Sequence, residues 1–224
     1  MNPFDQTETE PYDELVTQAQ AEAILELASS GNRVLDLGCG IGRVARHLSS
    51  DLEVVGIDRH TGVLEEFSKV TGGGQTHQLD FMVSPSGMPN GPFHGVMLLG
   101  NTFMEMVDPI EALGFFREIA DRLEPGGFFA IDDFPCTLWE EVAVGNWCTG
   151  IDDDESMQLI WQGGDPIFIL RRGAEVDPDS WSPRTEDRRF RLWSMGELRL
   201  LASLAGLESP VHDPAGHLLV MKRV

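Results

Sequence analysis

The residues that could do chemistry here are carboxylates at the ends of apolar runs, together with one glycine-rich turn. Asp36 lies in Val34-Leu35-Asp36-Leu37-Gly38-Cys39-Gly40-Ile41-Gly42-Arg43. Alternate glycines there let the backbone adopt conformations a Cβ forbids and let a ligand lie against the main chain. Asp58 closes the run Glu53 to Ile57, where an acid can take the hydroxyls of a ribose. Asp80 precedes Phe81, an acid and an aromatic suited to the edge and face of an adenine. Leu99-Gly100-Asn101-Thr102-Phe103 puts a side-chain amide at the end of a further apolar run. Asp132-Asp133 ends another, and paired carboxylates at strand ends can hold magnesium, which prefers oxygen ligands.

These residues need elements to position them. Strands are predicted over 34–37, 53–57, a stretch ending at 79–81, 93–99 and 128–131. The last is fed by the turn Leu123-Glu124-Pro125-Gly126-Gly127. A helix is predicted over Arg43 to Leu48 and another over Asp108 to Leu123, with Pro109 in its first turn. Such alternation is the signature of a parallel sheet with helices on both faces. Residues 1–12 read as irregular. A helix then runs from about Tyr12-Asp13 to Ser29, with Asp13 as N-cap and an apolar stripe of Leu15, Ala19, Ala23 and Leu27, widened by Val16 and Ile24.

The rhythm breaks after Phe134. A short helix is expected over 137–147, an acidic loop at Asp152-Asp153-Asp154-Glu155, and strands over 156–162, 167–172 and 187–193. Residues 135–193 therefore read as an insert over the sheet's active edge. A helix from Ser194 to Ala205, ended by Gly206, leads through a hairpin from about 208 to a last strand, His217 to Lys222. The expectation is one α/β domain over 1–224, with an N-terminal cap of about 1–30 and a substrate-side insert of about 135–193.

The runs Leu35-Asp36-Leu37-Gly38-Cys39-Gly40-Ile41-Gly42, Gly56-Ile57-Asp58, Leu79-Asp80-Phe81 and Leu123-Glu124-Pro125-Gly126-Gly127 together resemble a class I S-adenosylmethionine (SAM)-dependent methyltransferase. The resemblance covers roughly residues 32–133, with a weaker tail at 192–223. It implies a doubly wound, seven-stranded, mostly parallel sheet whose last strand is antiparallel, the Rossmann-like methyltransferase fold, with a lid-like insert. It also implies SAM as cofactor and S-adenosylhomocysteine as product. Gly38 and Gly40 would bring backbone against the methionine part, and Asp36 would fix the turn and the amino group, with Cys39 inside the same turn. Asp58 would accept from both ribose hydroxyls, and Arg59 would lie on the adenine face. Asp80 would take the adenine amino group, Phe81 would offer its amide and its ring, and the Leu99 carbonyl would meet the ammonium.

On the acceptor side, Leu99-Gly100-Asn101-Thr102-Phe103 is similar to the Leu-Gly-Asn-Ser-Phe of glycine and sarcosine N-methyltransferases and their small-molecule relatives. It differs from the Asn/Asp-Pro-Pro-aromatic run of the branches that methylate nucleobases and protein glutamine. Asn101 would then reach the acceptor, or else cap the turn after the strand. Arg171, Arg172 and Arg191 are the basic residues of the insert available to an acceptor carboxylate. Tyr12, the only tyrosine, would touch the methionine carboxylate or the acceptor, or serve as a packed hinge. Trp139, Trp147 and Trp161 either wall an apolar or cationic pocket or form the insert's own core. His60, His212 and His217 are candidate bases.

The expected function is methyl transfer to nitrogen or oxygen of a small molecule, mainly by positioning. The alternatives are a non-catalytic SAM-binding partner or sensor, a magnesium-assisted O-methyltransferase, and a dehydrogenase, whose third glycine is replaced by Arg43. No acid on the fourth strand joins Asp132-Asp133, so no metal is expected.

A net charge of −21 over 224 residues would repel phosphate backbones and argues against nucleic acid as partner. It is either a solvated acidic surface or an adaptation to high salt. No apolar run reaches the ~20 residues of a bilayer span, and the start of the sequence lacks a signal peptide's basic and apolar regions. No membrane association and a cytoplasmic location are therefore expected. Cys39, Cys136 and Cys148 form no CxxC pair; Cys136 and Cys148 either pair or remain thiols.

Overall fold

A computed structural model describes residues 14–224. The expected cap Asp13 and the site candidate Tyr12 lie outside the described residues. The elements in chain order are α1 (Glu14–Leu27), β1 (Arg33–Leu37), α2 (Ala45–Leu48), β2 (Glu53–Asp58), α3 (Thr61–Val70), β3 (Gln75–Gln78), β4 (Phe93–Leu98), α4 (Pro109–Arg122) and β5 (Leu123–Asp132). Then follow α5 (Phe134–Ala143), β6 (Gly150–Ile151), β7 (Met157–Trp161), β8 (Ile167–Arg172), β9 (Arg189–Arg191), α6 (Met195–Ala205), β10 (Val211–Asp213) and β11 (Leu218–Lys222).

The main sheet has seven strands in the order β10-β11-β5-β4-β1-β2-β3. Strands β5, β4, β1, β2 and β3 run parallel, and β11 is antiparallel to both its neighbours. From β1 the chain winds outward to β2 and β3 and then returns to β4 on the other side. That reversal opens a crevice at the carboxyl ends of β1 and β4, where such sheets bind ligands.

Alternate residues of each strand feed two cores, because successive side chains point to opposite faces. Val34, Val54, Phe128 and Ala130 pack with Ile24, Ala45, Leu48 and Phe67 on the face of α1, α2 and α3. Leu35, Val55, Phe129 and Ile131 pack with Phe115, Phe116, Leu198 and Leu201 on the face of α4 and α6. Fully burying such side chains contributes about 1.5–3 kcal/mol each. The ends of α4 and α6 carry the expected Pro109 and Gly206, and also side-chain caps that the sequence reading did not name. Asp108 accepts from the amides of Ile110 and Glu111, Ser194 and Glu197 form a capping box, and Gly206 closes α6 at φ 78°.

Several details depart from the sequence reading, among them α5, expected over 137–147 and found at Phe134–Ala143. The buried face of α1 is Thr17, Gln20, Ala21, Ala23 and Ile24, while Leu15 is 71% exposed. Helix α2 starts at Ala45, because residues 41–44 are still turning. β3 stops at Gln78, so Leu79-Asp80-Phe81 belongs to the loop after it. Pro125-Gly126-Gly127 is absorbed into β5 as an irregularity, the register moving from Phe93↔Leu123 to Gly95↔Phe128.

The region 135–193 forms α5 and a second, antiparallel sheet in the order β6-β7-β8-β9. Leu159, Phe168, Leu170 and Phe190 of one face join the buried cluster that holds Phe103 and Trp193. The opposite face carries Gln158 and Arg171, cross-strand partners, under residues 177–187. No helix among the described residues is long and apolar enough to cross a membrane.

Candidate active site

The turn after β1 is shaped by glycines at φ 67° (Gly38), 50° (Gly40) and 84° (Gly42). At Gly38 a Cβ would also stand 3.4 Å from the Thr102 methyl, so the turn after β4 lies against this loop. The loop is pinned from β2. The Gly40 amide donates to Asp58 Oδ2 at 3.1 Å, and the His60 amide donates to Asp58 Oδ1 at 2.9 Å. Each oxygen keeps a second lone pair, so the carboxylate can still accept from two ribose hydroxyls.

Cys39 points the other way. Its amide donates to the Ile57 carbonyl at 3.0 Å, and its thiol is buried. Burial first, then the charges of Asp36 and Asp58, push that thiol's pKa upward. Its side chain is therefore packing beneath the cradle, and the expected cofactor contact by Cys39 is confined to backbone.

Asp36 is also buried, which pushes its carboxyl up to about 8; Arg43 opposes the shift and Asp58 adds to it. The Arg43 guanidinium donates to Thr17 Oγ1 at 2.9 Å and to Gln20 Oε1 at 2.8 Å. A small cavity between β1 and β4 is bordered by Asp36, Gly38, Cys39, Arg43, Val44 and Leu99.

At the expected adenine side, Asp80 is half-buried and accepts from the Met82 amide at 3.1 Å. The Phe81 ring is buried against Phe115, 5.9 Å between centroids. The ring belongs to the core, which leaves the backbone amide as the Phe81 group to offer. Arg59 is exposed, its Nε 3.1 Å from His60 Nε2.

The acceptor-side turn follows β4. The Thr102 hydroxyl donates to the Leu99 carbonyl at 2.8 Å, which keeps a lone pair for a second donor. Gly100 and Asn101 are both left-handed, at φ 77° and 58°. The Asn101 amide donates to Asp132 Oδ2 at 2.8 Å, and Gln20 Nε2 donates to Asp132 Oδ1 at 3.0 Å. Asn101 stands at the N-cap position of the helical turn Thr102–Glu105, and its side chain makes no capping bond there.

Asp132 is thus committed to positioning, its pKa raised by burial against the pull of these bonds. Asp133 instead meets His212 Nε2 at 3.1 Å and His217 Nδ1 at 3.8 Å. Among the described residues, no group of three or more His, Cys, Asp or Glu is placed to hold a metal.

The arginines of the insert are largely structural. Arg171, 1% exposed, forks onto both oxygens of Asp187 at 2.8 Å and donates to the Ser180 and Ser182 carbonyls. Arg191 donates to Glu197 at 2.7 Å and to the Val107 carbonyl, with its guanidinium over the Trp193 ring. Neither is offered to an acceptor carboxylate.

The insert's tryptophans serve as both core and wall. Trp139 and Trp161 donate their indole N–H groups to the Trp193 and Trp147 carbonyls at 3.0 and 2.8 Å, and Trp161 and Trp147 pack on Phe168. Together with Pro166 and Glu197 these three rings border a groove of about 710 Å³.

The reading from sequence missed Thr17, Gln20 and Arg43. The available signal was a Thr and a Gln three residues apart on a helix whose apolar stripe pointed to a different face.

Residues 34–127 match the family model described as a methyltransferase domain. Over 117 residues the chain is 31% identical to a sterol 24-C-methyltransferase of Aspergillus fumigatus, a match spanning 48% of this chain and 29% of that protein. The chain therefore spans less than a third of that relative's length. An S-adenosylmethionine-dependent methyltransferase of Clostridium acetobutylicum superposes with a TM-score of 0.69 at 14% identity, over 95% of this chain and 92% of that one. The SAM-bound CalS10 of Micromonospora echinaspora, an amino pentose methyltransferase, gives 0.63 at 16% identity, over 93% and 90%. Likeness at such identities shows the fold.

Proposed function

We propose that this chain, whose residues 34–127 match a methyltransferase-domain family model, is a class I S-adenosylmethionine-dependent methyltransferase that methylates a small molecule at nitrogen or oxygen. SAM is the cofactor and supplies a methyl already activated on a sulfonium. What remains for the protein is to bind, orient and exclude water, and good alignment alone can contribute about 7–11 kcal/mol.

In this reading Asp58 accepts from the ribose hydroxyls. Asp80 and the Phe81 amide take the adenine edge, and Arg59 borders the mouth of its site. Gly38 and Gly40 lie against the methionine part, with Asp36 and the Leu99 carbonyl facing its ammonium. Asn101 presents its side-chain amide to the acceptor.

The observation that carries this is the approach of the two turns, with the Thr102 methyl 3.4 Å from where a Gly38 Cβ would stand. It brings the turn that carries Asn101 against the glycine turn, and the Asn101 side chain makes no capping bond to its own helical turn, which supports this reading. The amino pentose acceptor of CalS10 supports a polar small molecule. A carboxylate-first acceptor is less well supported, since Arg171 and Arg191 are engaged elsewhere.

The test is a screen with methyl-labelled SAM over amines, amino acids, amino sugars and phenols. Label transfer lost in Asn101→Ala, with SAM affinity kept, is the expected result. SAM binding without transfer to any acceptor would favour a non-catalytic binding role.

A further inference from the structure

Four groups form an unbroken hydrogen-bonded chain across the crevice. Arg43, at the exit of the cofactor loop, donates to Gln20 Oε1 at 2.8 Å. Gln20 Nε2 donates to Asp132 Oδ1 at 3.0 Å, and Asp132 Oδ2 accepts from the Asn101 amide at 2.8 Å. Gln20 is 1% and Asp132 7% exposed, so water does not substitute for these partners. We propose that Gln20 is a positioning residue that couples the cofactor loop to the acceptor-side turn, so that a ligand held at one sets the geometry of the other. The proposal rests on the methyltransferase reading of the two turns.

The polarity of the chain makes Gln20 specific. Its amide has one acceptor end and one donor end. Flipped, it would set its oxygen against the Asp132 carboxylate and its NH₂ against the Arg43 guanidinium, two repulsive contacts. A glutamate at this position can accept from Arg43 but has no N–H to give the Asp132 oxygen, and a methionine can do neither.

The far end of the chain needs such support. Asn101 takes the left-handed region at φ 58°, which asparagine tolerates better than most residues but which still depends on its surroundings. For Asn101 that support is the Asp132 carboxylate, which Gln20 fixes. Thr17 and Gln20 lie three residues apart on one face of α1, and both engage Arg43. Helix α1 is therefore a clamp across the site as well as a cover.

The test is a thermodynamic cycle on S-adenosylhomocysteine affinity, measured by calorimetry with wild type, Asp132→Asn, Gln20→Met and the double variant. An asparagine at 132 can keep the bond from the Asn101 amide but turns an NH₂ toward Gln20, reversing the polarity that Gln20 transmits. The expected result is a loss of about fivefold or more for Asp132→Asn in wild type, and little further loss in the Gln20→Met background. Gln20→Glu, which keeps the Arg43 end alone, should behave as Gln20→Met does and replaces it in the cycle if that variant fails to fold.

A purely structural Gln20 would lower the melting temperature while leaving the two effects additive. Additive losses, or no loss with Asp132→Asn, overturn the coupling. A wild-type protein that binds no S-adenosylhomocysteine overturns the cofactor reading itself, a distinct outcome because all four proteins would then fail alike.

Discussion

The Gly40 amide donates to Asp58 Oδ2 at 3.1 Å, so the acid that ends β2 holds the glycine turn that follows β1. The two residues are 18 apart in sequence and meet because β1 and β2 pair in parallel, Asp36 opposite Gly56 and Leu37 opposite Ile57. Asp58 thus shapes the loop, and under the proposed function it also presents a carboxylate to a ribose. Removing it should weaken cofactor binding by more than the loss of its ribose contacts alone.

Asp36 predicts a pH dependence of stability. Burial, the largest cause, pushes its carboxyl up to about 8 in the folded chain, while an unfolded aspartate titrates near about 3.9. Between about pH 4 and 8 the folded state keeps a proton that the unfolded state has released, so this contribution to stability falls as pH rises through that window. Urea unfolding at pH 5 and pH 8 should show wild type losing on the order of 2–4 kcal/mol more than Asp36→Asn. Equal losses would contradict the assignment.

Arg171 predicts a stability effect separated from cofactor binding. Its side chain is 1% and that of Asp187 5% exposed, and the Arg171 hydrogen bonds hold Asp187 below the usual carboxylate range. Arg171→Leu leaves a buried carboxylate without its partner and should cost about 3–5 kcal/mol in chemical unfolding. SAM affinity of the folded variant should be unchanged. A small stability cost with lost cofactor binding would instead make Arg171 part of the ligand site.

The acidic surface predicts a response to salt. With a net charge of −21, self-repulsion opposes the folded state and is screened as ionic strength rises. Between dilute buffer and molar potassium chloride the melting temperature should rise by roughly 2–4 °C for each 1 kcal/mol of relief. A flat or falling melting temperature would make the surface merely solubilising.

Much of this site was legible because its signals are local. Asp58 follows a short apolar run, Asp80 stands beside an aromatic, the glycines sit where the backbone turns left-handed, and Pro109 and Gly206 mark helix ends. What escaped depends on contacts distant in sequence. Gln20 and Asp132 are 112 residues apart, and a glutamine on a helix reads as solvent-facing until its buried partner is seen.

The same cause misplaced the stripe of α1. Leu15 fits the spacing, but the face is chosen by what Thr17 and Gln20 must reach. Phe81 looked like an adenine platform because an aromatic beside an acid suits one, yet Phe115 on α4 claims its ring. The insert's strands were readable from alternation, but the burial of Arg171 was not, since only Asp187 and the loop around it make that burial tolerable.

The central claim is a SAM site organised by Asp58, and calorimetric titration with SAM, S-adenosylhomocysteine and NAD, beside an Asp58→Ala variant, tests it most directly. The account predicts that both adenosyl ligands bind wild type, that the variant binds neither measurably, and that NAD does not bind. Binding of NAD alone, or undiminished SAM binding by Asp58→Ala, would contradict it.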